Sequence, residues 1–480
     1  MSSLQDIIRS VTGYQNLELY DAESKIKEYE EWYKGYAPKF HNYKVFNGKK
    51  QVDFRRYSLQ MGKKVCEDWA NLLINEKTDI VLDDVTSQEN LWQILEKCKF
   101  WQKANEGIEK TFALGGGALV LSVDNLSVLE DGTIGKDGKI NVTFVNAKKM
   151  RPITIEDGVI TECAFVSVNS KTTNVVVHLK DENGNYVIHN FVADGNDETN
   201  LKVRENTYYQ FNTRSPLRWF VTLKPNIANN IDIDSPLGIS IFANAIDVLK
   251  SIDVVYDSYV NEFIIGRKRI FINARSTTIN PSTGEMQDTF DANDVAIYVL
   301  PESDDGSVFM QDSTQTLRVT EHENALQNQL NLLSYACGFG TQHYKFEQGG
   351  IATATQIISE NSDMFRNIRK HEILIEDVLI ELVKTIIYAS NTFTAIQLKE
   401  GSNIEIRFDD SIIEDKVAEK TNDRLDVSMG VMSKAEFRAK WYNEDLETAQ
   451  EKIDEMDTMS IVDNSTDVEI SPTTDESTEG

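Results

Sequence analysis

The sequence holds 480 residues, with 77 Asp and Glu against 49 Lys and Arg and a net charge of −28. That balance argues against a protein that grips DNA by neutralising many phosphates and does not exclude one that lets DNA slide past. A hydrophobic share of 40% and a charged share of 26% are those of a soluble globular protein, and no run approaches the ~20 apolar residues of a membrane-spanning helix.

The opening MSSLQDIIRS lacks the basic segment and apolar core of a secretory signal. Residues 1 to about 112 read as amphipathic helices. DAESKIKEYEEWYKGY spaces Ile26, Tyr29, Trp32 and Tyr33 by threes and fours, and VCEDWANLLINEKTDI repeats the pattern with Val65, Trp69, Leu72 and Leu73. LWQILEKCKFWQKANEGIEKTFAL reads as a third helix, with Leu91, Ile94, Leu95, Cys98, Trp101 and Ala104 on one stripe. Next, LGGGALVLSVDN runs from helix through glycine turn to strand. A phosphate cradle has the opposite order, so Gly115, Gly116 and Gly117 are expected to turn a corner.

From about 117 to 225 the period is two. NVTFV, ITECAFVSV, TNVVVHL, NYVIHNFV and YYQFN are separated by Asp131-Gly132, Asp137-Gly138, Asp157-Gly158 and Asn183-Gly184, which are hairpin signals. An antiparallel sheet follows from them. IDIDSPLGIS then predicts a helix over 236–265, capped by Asp234 or Ser235 with Pro236 in its first turn. Gly266 is expected to stop it as a left-handed C-cap, and Arg267, Lys268 and Arg269 to meet the negative end of its dipole.

Short strands are predicted in RIFINA, DVAIYVL, GSVFMQD and TLRVTE, joined by the turns INPSTGEM and PESDDG. A second helix, EHENALQNQLNLLSYA, closes this block, so a small β-domain is carried on a helical hairpin. CGFGTQHYKFEQGGIA is a glycine-rich loop. After it, Thr353 and Gln356 form a capping box for a helix running to about Ser390. An α+β unit spans IEIRFDDSIIEDK to about Met456, with short helices begun at Ser433. From Glu451 onward Lys452 is the only basic residue, and the Ser/Thr/Asp/Glu-rich end is expected to be disordered.

No chemistry of catalysis is legible. The six histidines show no metal-ligand spacing; His178 and His189 are expected as a cross-strand surface pair. Cys66, Cys98, Cys163 and Cys337 form no CxxC pair, which fits a reducing compartment and argues against zinc or a disulfide framework. Asp409, Asp410, Glu414 and Asp415 lack the glycine and terminal glutamate of a calcium loop. No nucleophile elbow or Walker pair is present, so neither enzyme activity, metal nor cofactor is expected.

CEDWANLLINEKTDI, DSYVNEFIIGRKRIFI and GIATATQIISENSDMFRNIRKHE, with VSMGVMSKAEFRAKWY more weakly, resemble the portal proteins of tailed bacteriophages, in particular siphophages of Gram-positive hosts. The motifs fall in the family's order over nearly the whole chain. The resemblance implies an α+β portal fold with wing, long-helix stem, small β-rich clip and helical crown, assembling as a ring, usually a dodecamer. Carried over, 1–234 is wing, 235–266 stem helix, 267–318 clip, 319–337 second stem helix, 338–352 tunnel loop, 353–460 long helix and wing or crown, and 461–480 the acidic tail.

The resemblance further implies a channel at one capsid vertex, assembled in the host cytoplasm. Through it a terminase packages double-stranded DNA, and it later joins head to tail. Implied partners are the terminase large subunit, a head-completion adaptor and the major capsid and scaffolding proteins, with no membrane. Arg267, Lys268, Arg269, Gln342, His343, Lys345 and Gln348 would face DNA, the three cations forming a basic collar that brushes phosphates or pairs with a neighbouring subunit. Pro281, Ser282, Thr283, Gly284, Glu285, Asp304 and Asp305 would form the clip's partner surface. The competing readings are a DNA-modifying or nucleotide-using enzyme, against which the missing catalytic set counts, and a scaffold adaptor without a channel.

Overall fold

The computed structural model describes all residues except 1, 21–22, 47, 127–133, 274–277, 280, 285, 288–296, 301–309, 314–315, 346–361, 409–415, 443 and 464–480. It divides into two compact units, residues 1–348 with 362–409, and residues 349–361 with 410–480.

The first unit is built on two antiparallel sheets. The larger runs in the order Lys202–Val203, Tyr186–Asp194, Thr172–Lys180, Val159–Val168, Met150–Glu156, with Tyr209–Asn212 also paired to Tyr186–Asp194. Its first hairpin turns at Asp157 and Gly158, both at positive φ (52° and 77°), as a tight two-residue connection requires. Alternation gives the sheet one apolar face of Ala164, Val166, Val175, Val177, Leu179, Phe191 and Ala193. The helix Leu4–Thr12, capped by Ser3, packs Leu4, Ile7 and Ile8 onto that face. The smaller sheet has the order Phe220–Leu223, Gly117–Asp124, Lys139–Asn146. The glycine corner leads into it: Gly115 sits at φ 78°, and a Cβ there would come within 2.7 Å of the Gly238 carbonyl oxygen.

The 32-residue helix Ser362–Phe393, ~48 Å long, crosses the smaller sheet. Its buried stripe includes Met364, Ile368, Ile375, Leu382 and Ile386. Arg218 clamps Glu381 with two charge-assisted bonds of 2.9 and 2.8 Å. The capping box at Thr353 lies outside the described residues.

Several expectations need correction. Residues 1–112 are not helical throughout: Asn42–Phe46 and Gln51–Arg55 pair as a hairpin, and Asp79–Leu82 is a strand. The helix read through 91–114 is two helices, Val85–Lys97 and Phe100–Leu114, broken where Lys99 turns left-handed (φ 54°) and the Cys98 thiol donates to the Ile140 carbonyl at 3.2 Å. The strand Ile404–Arg407 pairs antiparallel with Asp79–Leu82 in the first unit, so the C-terminal unit is helical among its described residues rather than α+β. His178 and His189 are both buried and are not a surface pair. His178 is opposite Ile188 and His189 opposite Val177, so the two rings leave the sheet on opposite faces.

The second unit holds the helices Lys416–Met429, Lys434–Tyr442 and Leu446–Asp463, so residues 461–463 of the expected tail are helical. Ser433 and Glu436 form a reciprocal capping box at 3.1 and 2.8 Å. Polar clasps tie the helices: Asp423 accepts from the Trp441 indole at 2.8 Å and pairs with Lys440, and Glu444 pairs with both Arg438 and Lys452. The carboxylates at 409, 410, 414 and 415 lie outside the described residues.

Burial holds two histidines of the first unit neutral, His178 and His371, each with its pKa pushed down to about 3. An unfolded histidine titrates near 6.5, so between those limits the unfolded chain binds more protons. Stability should therefore be full above pH 6.5 and fall on acidification, by up to ~1.4 kcal/mol per pH unit for each ring. Urea midpoints at pH 7 and pH 5, taken at one protein concentration, should show that loss. His178→Phe should reduce it; an unchanged pH dependence in the variant would contradict this account.

Candidate functional site

The helical hairpin and the loop beyond it gather most of the residues of interest. Its first helix is Ile246–Ile265, ~30 Å long, entered through a 3₁₀ turn at Ala243–Ala245. The predicted start at Pro236 is wrong: the Ser235 hydroxyl accepts from the Leu237 N–H at 3.3 Å, making a local turn, and residues 236–242 are irregular. Buried Leu237, Ile239, Ile241 and Phe242 explain why the apolar pattern extends past the helix. Gly266 is not left-handed either, with φ −74°. The glycine answers close packing instead, because a Cβ there would lie 2.4 Å from the Leu317 side chain.

The second helix, Val319–Ala336, returns antiparallel. Glu262 meets Arg318 and Ser258 meets His322 (3.1 Å), so the end of one helix lies beside the start of the other. The predicted strand TLRVTE is thereby overturned: its last residues open the helix, and Arg318 forks onto Glu262 at 3.2 and 2.8 Å. These hydrogen bonds hold the Glu262 carboxyl down at about 2.

Sequence reasoning missed two carboxylates on the first helix. Asp253 and Asp257, one turn apart, are buried. Asp253 accepts from the Leu59 N–H (2.8 Å) and contacts His41 Nε2 (3.0 Å). Asp257 accepts from the Tyr57 N–H (3.1 Å) and the Tyr43 hydroxyl (3.4 Å). Two acids at i, i+4 within an otherwise apolar pattern were the available signal, since buried carboxylates must find donors.

Between the helices, Ile270–Asn273 pairs parallel with Ile297–Leu300 and antiparallel with Met310–Asp312, and Thr278–Ile279 forms a small hairpin with Met286–Gln287. Pro281, Ser282, Thr283 and Gly284 are exposed at that hairpin's turn, with Gly284 at φ 68°; Glu285, Asp304 and Asp305 lie outside the described residues. Arg267 and Lys268 are exposed where the helix ends, and Arg269 is half-buried. Lys268 Nζ lies 3.1 Å from Asp312 Oδ2, and the Arg269 carbonyl accepts from the Ser313 N–H at 2.8 Å. At least part of the basic run thus ties the helix end to the last strand.

The glycine-rich loop is rooted in the core. Buried Trp69 donates its indole N–H to the Cys337 carbonyl at 3.0 Å and stacks on Phe339 at 4.8 Å. It also meets the His371 ring edge-on at 4.8 Å. His343 lies flat on Phe339, with centroids 4.3 Å apart, and its Nε2 is 3.4 Å from Asp68. Gln342 and Lys345 are exposed and bonded to each other at 2.9 Å. Gln348 lies outside the described residues. The structure thus separates His343, which packs inward, from Gln342 and Lys345, which face solvent.

Among the described residues no group of three or more His, Cys, Asp or Glu could hold a metal ion, and no helix is long and apolar enough to cross a membrane. All four cysteines are buried, and burial pushes the thiols of Cys163 and Cys337 up to about 12, far from a reactive thiolate.

Comparison with protein-family models matches residues 16–463 to the family described as phage portal protein, SPP1 Gp6-like. The chain belongs to that phage portal protein family. It is a component of a phage particle, with a mixed helix-and-strand portal fold. Among solved structures, a chain of the "Neck of native GTA particle computed with C12 symmetry" is similar at 10% identity and a TM-score of 0.41, over 79% of this chain and 88% of that one, too loose a likeness to carry an argument. No curated protein matches significantly.

For this portal protein the Trp69 junction should dominate the loop's stability. Trp69→Ala should cost ~3–5 kcal/mol through lost packing, and Trp69→Phe ~1–3 kcal/mol by leaving the Cys337 carbonyl unpaired. Chemical denaturation of both variants at fixed protein concentration checks the order; equal losses would remove the hydrogen bond from the account.

Proposed function

We propose that this portal protein assembles as a ring of twelve subunits at one capsid vertex and forms the channel through which a terminase packages double-stranded DNA. The observation carrying this reading is the family match across residues 16–463, supported by a strand block carried between two antiparallel helices. In it, 246–265 and 319–336 form the stem, 267–318 the clip, and the loop from 338 reaches toward the DNA. The net charge of −28 fits a conduit that must not hold its cargo, since acidic walls repel phosphate within the ~10 Å screening length of 0.1 M salt. The protein acts as a structural conduit and not as an enzyme. It is built in the host cytoplasm with capsid and scaffolding proteins, and later joins head to tail through a head-completion adaptor.

Within the loop, Gln342 and Lys345 are the DNA-facing residues we propose, with Gln348 beyond them, while His343 anchors the root. The clip's partner surface for the terminase large subunit centres on Pro281–Gly284. Electron microscopy of the purified chain should show rings with a central hole; compact monomers at high concentration would overturn the reading. Lys345→Glu with Gln342→Ala should leave ring assembly unchanged and reduce packaged DNA several-fold. Substitutions at Ser282 and Thr283 should weaken terminase binding without shifting thermal unfolding, and unchanged binding would remove that surface.

A further inference from the structure

The antiparallel hairpin formed by Asn42–Phe46 and Gln51–Arg55 is exposed on both faces over most of its length. In its register Tyr43 faces Phe54 and Val45 faces Val52, so these four side chains share one face and make it wholly apolar. Val45 is 42% exposed and Phe54 46%, and Phe46, on the other face near the tip, is 62% exposed. An isolated two-stranded ribbon is marginal in water, and one with a bare apolar face has a packing partner still to find.

Its root, by contrast, is fixed. The buried stem carboxylates Asp253 and Asp257 hold His41, Tyr43, Tyr57 and Leu59. Arg56 lies over the rings of Phe40 and Tyr43 at 4.6 and 4.4 Å. The arm therefore projects from the stem helix at a set place. Its charge is opposite to that of the molecule: residues 42–56 carry Lys44, Lys49, Lys50, Arg55 and Arg56 against Asp53 alone, in a chain of net charge −28.

We propose that this hairpin is a docking arm whose occupant is a second copy of the chain, the apolar face packing on the adjacent subunit while Lys44 and Arg55 on the opposite face, with the lysines of the turn, meet its acidic groups. Another copy offers the complementary charge in abundance, and opposite potentials steer and register such contacts. Anchoring the arm on the stem places the contact beside the helix that the ring reading puts around the channel, on which this proposal rests.

The test uses the full chain. Val45→Ser with Phe54→Ser should raise the concentration at which rings fall apart, followed by mass photometry, at least tenfold, with circular dichroism and the unfolding of the dissociated chain unchanged. Independently, Phe46→Cys gives an accessible thiol in a chain whose own cysteines are buried. Labelled there with benzophenone maleimide, rings mixed from ¹⁴N and ¹⁵N chains should give adducts between differently labelled copies. Rings as stable as wild type, adducts confined to one copy, or adducts to added duplex DNA in place of protein would each overturn the docking arm. A wild-type chain that forms no rings would overturn the ring reading and the arm with it.

Discussion

One hydrogen bond, from the Trp69 indole to the Cys337 carbonyl at 3.0 Å, fixes where the stem ends and the loop begins. The last carbonyls of a helix lack partners within it, and Cys337 directly follows the helix Val319–Ala336. Its carbonyl is answered by a residue 268 positions away in sequence. Around that bond Phe339 stacks on the same indole, His371 meets it edge-on and Phe112 packs against it at a tilt. The helix Phe100–Leu114, the end of the second hairpin helix, the loop and the longest helix thus meet on one side chain. A loop whose root is so fixed can present Gln342 and Lys345 at a defined place.

Acidic residues in this protein do two separate jobs. Most lie on the surface and set the long-range field. A smaller set is turned inward as fixed acceptors: Asp253 and Asp257 beneath the hairpin root, Asp68 behind His343 and Glu381 under Arg218. Unpartnered, each would be expensive to bury; partnered, each specifies one arrangement of the segments that reach it. Cations answer them at joints, and Arg318 with Glu262 and Lys268 with Asp312 tie the strand block to the ends of the two hairpin helices. The basic run after the first stem helix reads differently in this light: Lys268 is already engaged within its own chain, so any collar for DNA rests chiefly on Arg267 and Arg269.

Local signals in the sequence were legible wherever local physics decides. The Gly115 corner, the Asp157-Gly158 hairpin and the Ser433 capping box depend on a few adjacent residues, and their patterns state them. The portal family was legible too, through the resemblance of several motifs in sequence. What stayed hidden was settled by distant contacts. Apolar residues 237–242 continue a helical period, yet they are buried as irregular chain, so period alone could not place the helix start. Ile404–Arg407 is a strand because Asp79–Leu82 lies open to pair with it, a partner more than three hundred residues away that no window includes. His178 and His189 were read as a surface pair because alternation places residues on faces without saying that both faces are covered. The buried Asp253 and Asp257 looked like ordinary polar positions, since His41, Tyr43, Tyr57 and Leu59, which meet them, lie far away in sequence.

The loop shows how the two kinds of information combine. Its composition reads as a glycine-rich loop, and the resemblance implied that Gln342, His343 and Lys345 together face DNA. The structure divides that trio by neighbour rather than by chemistry: His343 can stack because Phe339 is held under Trp69, and Asp68 then fixes its ring from the other side. With the histidine committed to the root, a single cation, Lys345, remains on the described part of the loop, bonded sideways to Gln342. One such contact per subunit is a weak hold on a phosphate backbone, because affinity grows with the number of phosphates neutralised together. In the conduit proposed above, contacts of that kind would guide DNA and be too few to arrest it.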